Sequence, residues 1–377
     1  MTAPVTEAAR APRPPHHDAP EGPAEARQEP AAVPSGRPQP SAPAAERRRR
    51  RLRWAAVVVV LAAAVAGLYL LTLMAGRQFH SLPEVVAVAL GHDVEGATFV
   101  VGRLRLPRAS LALVAGLSFG LAGVSFQTLL RNPLASPDVI GISAGASTAA
   151  VVGIVWFGVS GTGLASIAVV AALAVAAAIY GLARRGGAAG TRLILIGIGA
   201  AAMLESLTLY ALSKAGSWDL QEATRWLAGS LNGATWDRVL PVALAFVLLA
   251  PVLLAQGRAL TALALGDDAA AGLGVAVPRT RVTVILVAVA LVAFATASTG
   301  PIAFVAFLAG PIAAGLVGPG RSLLLPAALV GAALVLGADF AGQHLFATRY
   351  PVGVVTGVLG APFLVYLIVR SNRAGAM

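Results

Sequence analysis

Long apolar stretches without a charge, set off by short clusters of Arg, Asp, Gly and Pro, run from residue 54 almost to residue 370. Trp54 to Ala75 is the first of them, long enough at about 1.5 Å of rise per residue to cross a hydrocarbon core of ~30 Å. Another 22 uncharged residues separate Arg108 from Arg131 and predict one span. Between Asp138 and Arg184 lie 45, room for two helices with a turn at Gly158 to Gly163, where Ser160, Gly161 and Thr162 supply turn chemistry. Arg192 to Lys214 and Arg238 to Arg258 each enclose one span. The 39 uncharged residues between Arg281 and Arg321 fit two more, broken at Ser298-Thr299-Gly300-Pro301 because proline disrupts a helix interior. Leu323 to Ala338 and Val352 to Val369 complete the set. The pattern predicts an all-α, polytopic membrane protein with about ten transmembrane helices.

Composition agrees with that pattern. The 377 residues are 57% hydrophobic and only 12% charged, and the mean hydropathy is +0.79, too little polar surface to enclose a soluble core. Residues 1 to 46 differ: they hold 11 of the 24 prolines and have no apolar periodicity, which predicts a disordered tail. The tail, residues 1–53, ends in Arg47-Arg48-Arg49-Arg50-Arg51-Leu52-Arg53, a topology anchor. A signal peptide would have a shorter apolar core with a small-residue cleavage site after it, so Trp54 to Ala75 reads as a retained helix. The apolar body covers residues 54–370, and 371–377 form a short tail.

With the N-terminus inside, 16 Lys or Arg residues fall in cytoplasmic segments near the membrane and eight in external ones. That asymmetry predicts both termini in the cytoplasm. It also accounts for the net charge of +11 without nucleic acid. Arg103, Arg105 and Arg108 stand against the trend in one external loop. They either meet an acidic partner surface or snorkel to lipid headgroups.

The sequence contains no cysteine, and its five histidines are scattered, so no metal site or cofactor is expected. Nothing pairs a nucleophile with a base, and Lys214 is the sole lysine, in no phosphate-cradling loop. The chain reads as a non-enzyme, and any ATP hydrolysis belongs to another subunit. Glu205 is the one carboxylate well inside an apolar stretch, where an ionised group costs about 3 kcal/mol on insertion scales. A proton-coupled transporter would use such a residue with a partner on another span. No second buried charge is evident, since Asp339 and His344 fall near the outer end of theirs. The cytoplasmic segment Ala259 to Pro278 is too apolar at Leu263, Leu265 and Leu273 for a free loop. It predicts a short helix, with Asp267 and Asp268 favouring its N-terminal dipole, that docks on a partner or lies on the bilayer.

Several stretches together resemble the iron-siderophore and vitamin B12 family of ABC importer permeases, over almost all of residues 54 to 370. They are Arg105-Leu106-Pro107-Arg108; Gln127 with Arg131-Asn132-Pro133-Leu134-Ala135 through Pro137 and Gly141; and Trp226-Leu227-Ala228-Gly229-Ser230-Leu231 with Trp236. Leu265-Gly266-Asp267 with Leu273-Gly274-Val275, Gly300-Pro301-Ile302-Ala303-Phe304-Val305, and Pro351-Val352-Gly353 with Gly360-Ala361-Pro362-Phe363 follow in order. The resemblance implies a second permease copy or homologue, two cytoplasmic ATPase subunits and an external substrate-binding protein, with membrane lipid around them. It implies that Leu265, Gly266, Asp267, Asp268, Leu273 and Gly274 form the helix coupled to the ATPase, that Gly190 and Thr191 mark a cytoplasmic gate, and that Arg105, Arg108 and Arg349 receive the binding protein. The cargo so implied is a ferric siderophore, with cobalamin and haem as alternatives. A proton-coupled secondary transporter centred on Glu205 is the rival reading.

The chain departs from the family in three places, one of them the proline-rich tail, which exceeds what the family fold requires. Many relatives have Pro-His and then Arg shortly after the Phe-Val pair, where this chain has Gly310-Pro311 and then Ala314. In the outer loop before Pro351, Gln343 occupies a usual arginine position and Arg349 one that is often acidic.

Overall fold

The computed structural model describes residues 44–76, 78–138, 141–183 and 189–375; most of the expected tail, residues 1–43, lies outside them. Among the described residues there are helices and no strands. In chain order they are α1 (Ala44–Met74), α2 (Leu82–Ala89), a π-helical stretch (Thr98–Arg105) running directly into α3 (Leu106–Leu130), α4 (Ile142–Phe157), α5 (Gly161–Ala183), α6 (Ala189–Ser213) and α7 (Ser217–Leu227). Then come α8 (Trp236–Ala255), α9 (Gly257–Leu263), α10 (Asp267–Gly272), α11 (Val277–Thr299), α12 (Val305–Val317), α13 (Leu324–His344) and α14 (Val352–Gly375).

Seven of these, in α1, α3, α5, α6, α8, α11 and α13, are long and apolar enough to cross a membrane, and α4, α12 and the first part of α14 are shorter apolar helices. Every predicted span thus has its helix, and the two predicted breaks fall where proline and glycine place them. α4 ends on Gly158 with φ of 61°, and α11 ends before Gly300 with φ of 71°. The structure changes two details. The arginine run is not a separate anchor but the first turns of α1, where Arg53 donates to the Leu316 carbonyl near the end of α12 at 3.0 Å. And α2 and α7 are helices that apolar length alone does not reveal.

α3 is the axis of the bundle, with 78% of its apolar window buried, because it carries small residues where neighbours approach. A Cβ added to Gly116 would meet the Gly331 carbonyl oxygen of α13 at 2.6 Å, one on Gly120 the Ala327 oxygen at 2.2 Å, and one on Gly123 the Ala306 oxygen of α12 at 1.8 Å. Helices in lipid gain no hydrophobic drive toward each other, so backbone proximity through such residues supplies the packing energy. Hydroxyls inside α3 are satisfied by their own helix: Ser118, Ser125 and Thr128 each donate to the carbonyl four residues back.

The Gly310-Pro311 departure finds its physical reason here. Pro311 has no N–H for the Phe307 carbonyl one turn earlier, and in lipid that orphaned oxygen would be costly. Gln127 of α3 supplies the missing donor, its Nε2 lying 2.9 Å from the Phe307 oxygen. Gly310 makes room for it, since a Cβ there would sit 1.8 Å from the Gln127 Oε1. Gln127→Leu is expected to destabilise the protein by about 1–3 kcal/mol, measured as a fall in thermal midpoint in detergent. Unchanged stability would show that water or a helix shift satisfies the carbonyl instead.

Candidate functional site

Chemistry-bearing residues gather at the two ends of the bundle. At the end where α3 begins, Arg108 forms a two-pronged ion pair with Asp339 of α13, Nε to Oδ2 at 2.8 Å and Nη2 to Oδ1 at 2.7 Å. Its remaining nitrogen donates to Asn232 Oδ1 at 2.7 Å. The Asp339 side chain is 1% exposed and that of Arg108 18%. This corrects the expectation of no second buried charge: α13 continues past Ala338, and its last turns carry Asp339 inward rather than to the surface. Arg105 is likewise turned inward, donating to the carbonyls of Leu73 and Met74 at 2.8 and 3.0 Å and of Gln78 at 2.8 Å. It thereby caps the carbonyl end of α1, which favours a cation. Arg349 is exposed and has no hydrogen-bond or ion-pair partner among the described residues.

Three motifs far apart in sequence meet at this end. The Ser230 amide donates to the Thr299 carbonyl at 2.7 Å, and the Gly353 amide to the Gly229 carbonyl at 3.1 Å. The approach requires glycine: Gly229 and Gly300 have φ of 64° and 71°, and a Cβ on Gly353 would lie 2.2 Å from the Ala228 oxygen. The Trp226 to Leu231, Gly300 to Val305 and Pro351 to Gly353 stretches are therefore one backbone knot that fixes where α12 and α14 start.

At the opposite end, the short helix predicted within Ala259 to Pro278 is two short helices, α9 and α10, because Gly266 with φ of 119° breaks the chain between them. Leu263 turns into the core at 1% exposure, whereas Leu265 and Leu273 point outward at 70% and 67%. The turn that presents them is clamped. Asp267 accepts from Arg281 of α11 at 2.8 Å and from Arg131, which caps α3 in the left-handed region with φ of 50°. Arg131 Nε also donates to the Leu263 carbonyl at 2.8 Å. Asp268 and Gly274 are exposed, and Gly274 has φ of 84°. The structure thus gathers Leu265, Gly266, Asp267, Asp268, Leu273 and Gly274 into one surface.

Between α3 and α4 at this end, burial raises the Asp138 carboxyl above its ordinary value, partly offset by hydroxyl donors on Ser143 and Ser136. The backbone of Gly190 and Thr191 lies in the first turn of α6, and their side chains lie outside the described residues. At the other end, a cavity of about 800 Å³ opens between α5, α7, α8 and the last turn of α11, with Glu222, Arg225, Asp237 and Arg238 on its wall. Sequence reading missed it because its residues come from four elements, and α7 shows only as a polar face next to an apolar one.

An all-helical body with about ten apolar helices, clamped polar clusters at both ends and an exposed apolar turn at one of them defines a multi-pass transport permease. The FecCD transport family model matches residues 56–370, and the chain belongs to that family. It is 41% identical over 310 residues to the ferric enterobactin transport system permease protein FepG of Escherichia coli, covering 82% of this chain and 93% of the relative. It is 35% identical over 276 residues to the cobalamin import system permease protein BtuC of Halobacterium salinarum, covering 73% and 74%. A solved structure of a metal-chelate type ABC transporter in an inward-facing conformation superposes with a TM-score of 0.75 at 27% identity, covering 83% of this chain and 99% of that one.

Proposed function

We propose that this chain is one of two permease subunits of a binding-protein-dependent ABC importer, and that its cargo is a ferric siderophore. The observation that carries the reading is the clamped turn between α9 and α10. Two large apolar side chains, Leu265 and Leu273, are held outward on a segment that three charged residues fix to α3 and α11. Fixed, exposed apolar anchors are what a helix-in-groove contact uses, and a separate ATPase subunit would take them. The arginine bias puts this end in the cytoplasm, with both termini. The opposite end then faces outward. There Arg349 offers the binding protein a free cation, while Arg105 and Arg108 hold the surface it would meet. Ferric siderophore is favoured as cargo because the ferric enterobactin permease of Escherichia coli is similar over nearly its whole length.

The proton-coupled rival loses ground, since a relay centred on Glu205 would need a facing group, and Glu205 has no partner among the described residues. Uptake of iron-55 as a ferric siderophore into cells separates the two readings. Uptake is expected to survive collapse of the proton gradient while ATP is maintained and to stop when ATP is depleted. The opposite pattern would overturn the importer assignment. Competition by cobalamin or haem, with no competition by siderophore, would move the cargo to those ligands.

A further inference from the structure

Glu205 is the feature that the fold does not absorb. It lies 16 residues into α6 and eight before its end, roughly 12 Å from the nearer terminus. Asp339 of α13 is buried and paired, whereas Glu205 is exposed on the outer face of α6. Its own face offers it no donor. Ser206 is spent on the Ala202 carbonyl at 2.8 Å, and Lys214, beyond the end of α6, lies over the Tyr210 ring, 5.7 Å from its centroid. The outer face of α8, with Leu240, Leu244, Val247 and Leu248 exposed, shows what a lipid-facing helix of this chain looks like. A carboxylate at this depth is not tolerated against lipid tails and needs water or a second protein surface. The exposed face around Glu205 mixes the small residues Gly199, Ala202 and Ser206 with the exposed apolar side chains of Ile198 and Leu209.

We infer that Glu205 lines a water-filled cargo path between the two permease subunits and biases it toward uncharged or cationic metal chelates over polyanionic ones. The inference rests on the two-permease reading above and deepens it by naming the class of chelate. One carboxylate comes from each subunit that carries it, so identical subunits would double the field. A neutral ferric trihydroxamate feels little of that field. A trianionic ferric tris-catecholate is repelled, and at an effective dielectric of about 20 and a separation of about 12 Å each unit of charge changes occupancy roughly tenfold.

Two measurements on the assembled transporter test this. The chain has no cysteine, so Glu205→Cys gives a single thiol. A charged, membrane-impermeant methanethiosulfonate is expected to label it and to leave Leu244→Cys on the outer face of α8 unlabelled. Failure to label Glu205→Cys in complexes that form normally would overturn the placement. The second measurement is uptake of iron-55 as the neutral trihydroxamate and as the tris-catecholate by wild type, Glu205→Gln and Glu205→Lys. The same binding protein serves all three, so its selectivity cancels when each variant is divided by wild type. With three charges on the tris-catecholate and about tenfold per charge, the anionic-to-neutral ratio is expected to rise by up to about a thousandfold in Glu205→Gln and further in Glu205→Lys. An unchanged ratio at normal membrane levels would overturn the charge bias alone. Wild-type uptake of neither chelate would overturn the siderophore reading, and the bias with it.

Discussion

Asp339→Ala is expected to lose about 3–5 kcal/mol of stability and most of the folded protein, because it strands the Arg108 guanidinium inside the bundle with only Asn232 to accept from it. The energy lies in desolvation. Both partners left water on folding, and their two-pronged geometry at 2.7 and 2.8 Å offsets that cost only while both are present. Arg108→Met combined with Asp339→Leu removes both charges and replaces them with apolar groups of similar volume. It is therefore expected to recover most of the stability that the single variant loses. The measurement is fluorescence-detected size exclusion of detergent-solubilised protein after a heating series. Equal midpoints for the single and double variants would show that the pair is hydrated. The same geometry bears on any attempt to read binding-protein docking from Arg108: reversing its charge would set two carboxylates together and unfold the site before docking could be measured. Arg349, exposed and unpartnered among the described residues, is the position where charge reversal reads association alone.

What the sequence discloses and what it hides divide along a physical line. Span number and breaks are local properties: about 20 apolar residues make a helix, and Pro301 or the Gly158 to Gly163 turn ends one. These were legible from charge spacing alone. The coupling surface was half legible, since Leu265 and Leu273 stand out as apolar residues among charges. Their separation onto two helices depends on the backbone of Gly266, which no hydropathy pattern encodes. Residues that work through distant partners were hidden. Asp339 meets Arg108 across 231 positions and Gln127 meets Phe307 across 180, so each looks like an isolated polar residue until the chain folds. Pro311 nonetheless left a clue. A proline inside an apolar helix orphans a carbonyl, and a lone Gln in another apolar helix is a natural source of the missing donor.

The largest functional effect is expected from Leu265→Glu with Leu273→Glu, which should leave the permease in the membrane at normal levels and reduce ATP-driven uptake at least tenfold. Both side chains are already outside the fold, so charge there does not disturb the core. Docked against an ATPase groove, each carboxylate would have to be desolvated without a partner, at a cost of several kcal/mol, and each lost leucine forfeits about 1.5–3 kcal/mol of burial. One such step already exceeds the 1.4 kcal/mol that changes an equilibrium tenfold. Gly274 is left untouched on purpose. Its φ of 84° strains any other side chain, so a substitution there would mix backbone damage with loss of contact. Asp267→Asn serves as the companion variant. It keeps both leucines but weakens the clamp to Arg131 and Arg281, and because those pairs are partly exposed it is expected to lower uptake only a few-fold. The readouts are uptake and ATP hydrolysis stimulated by loaded binding protein in the reconstituted complex. The double Glu variant should lose the stimulation, while Asp267→Asn should keep it at reduced amplitude. Full stimulation in the double variant would mean that force enters the permease elsewhere, and the α9–α10 turn would revert to an amphipathic segment resting on the bilayer.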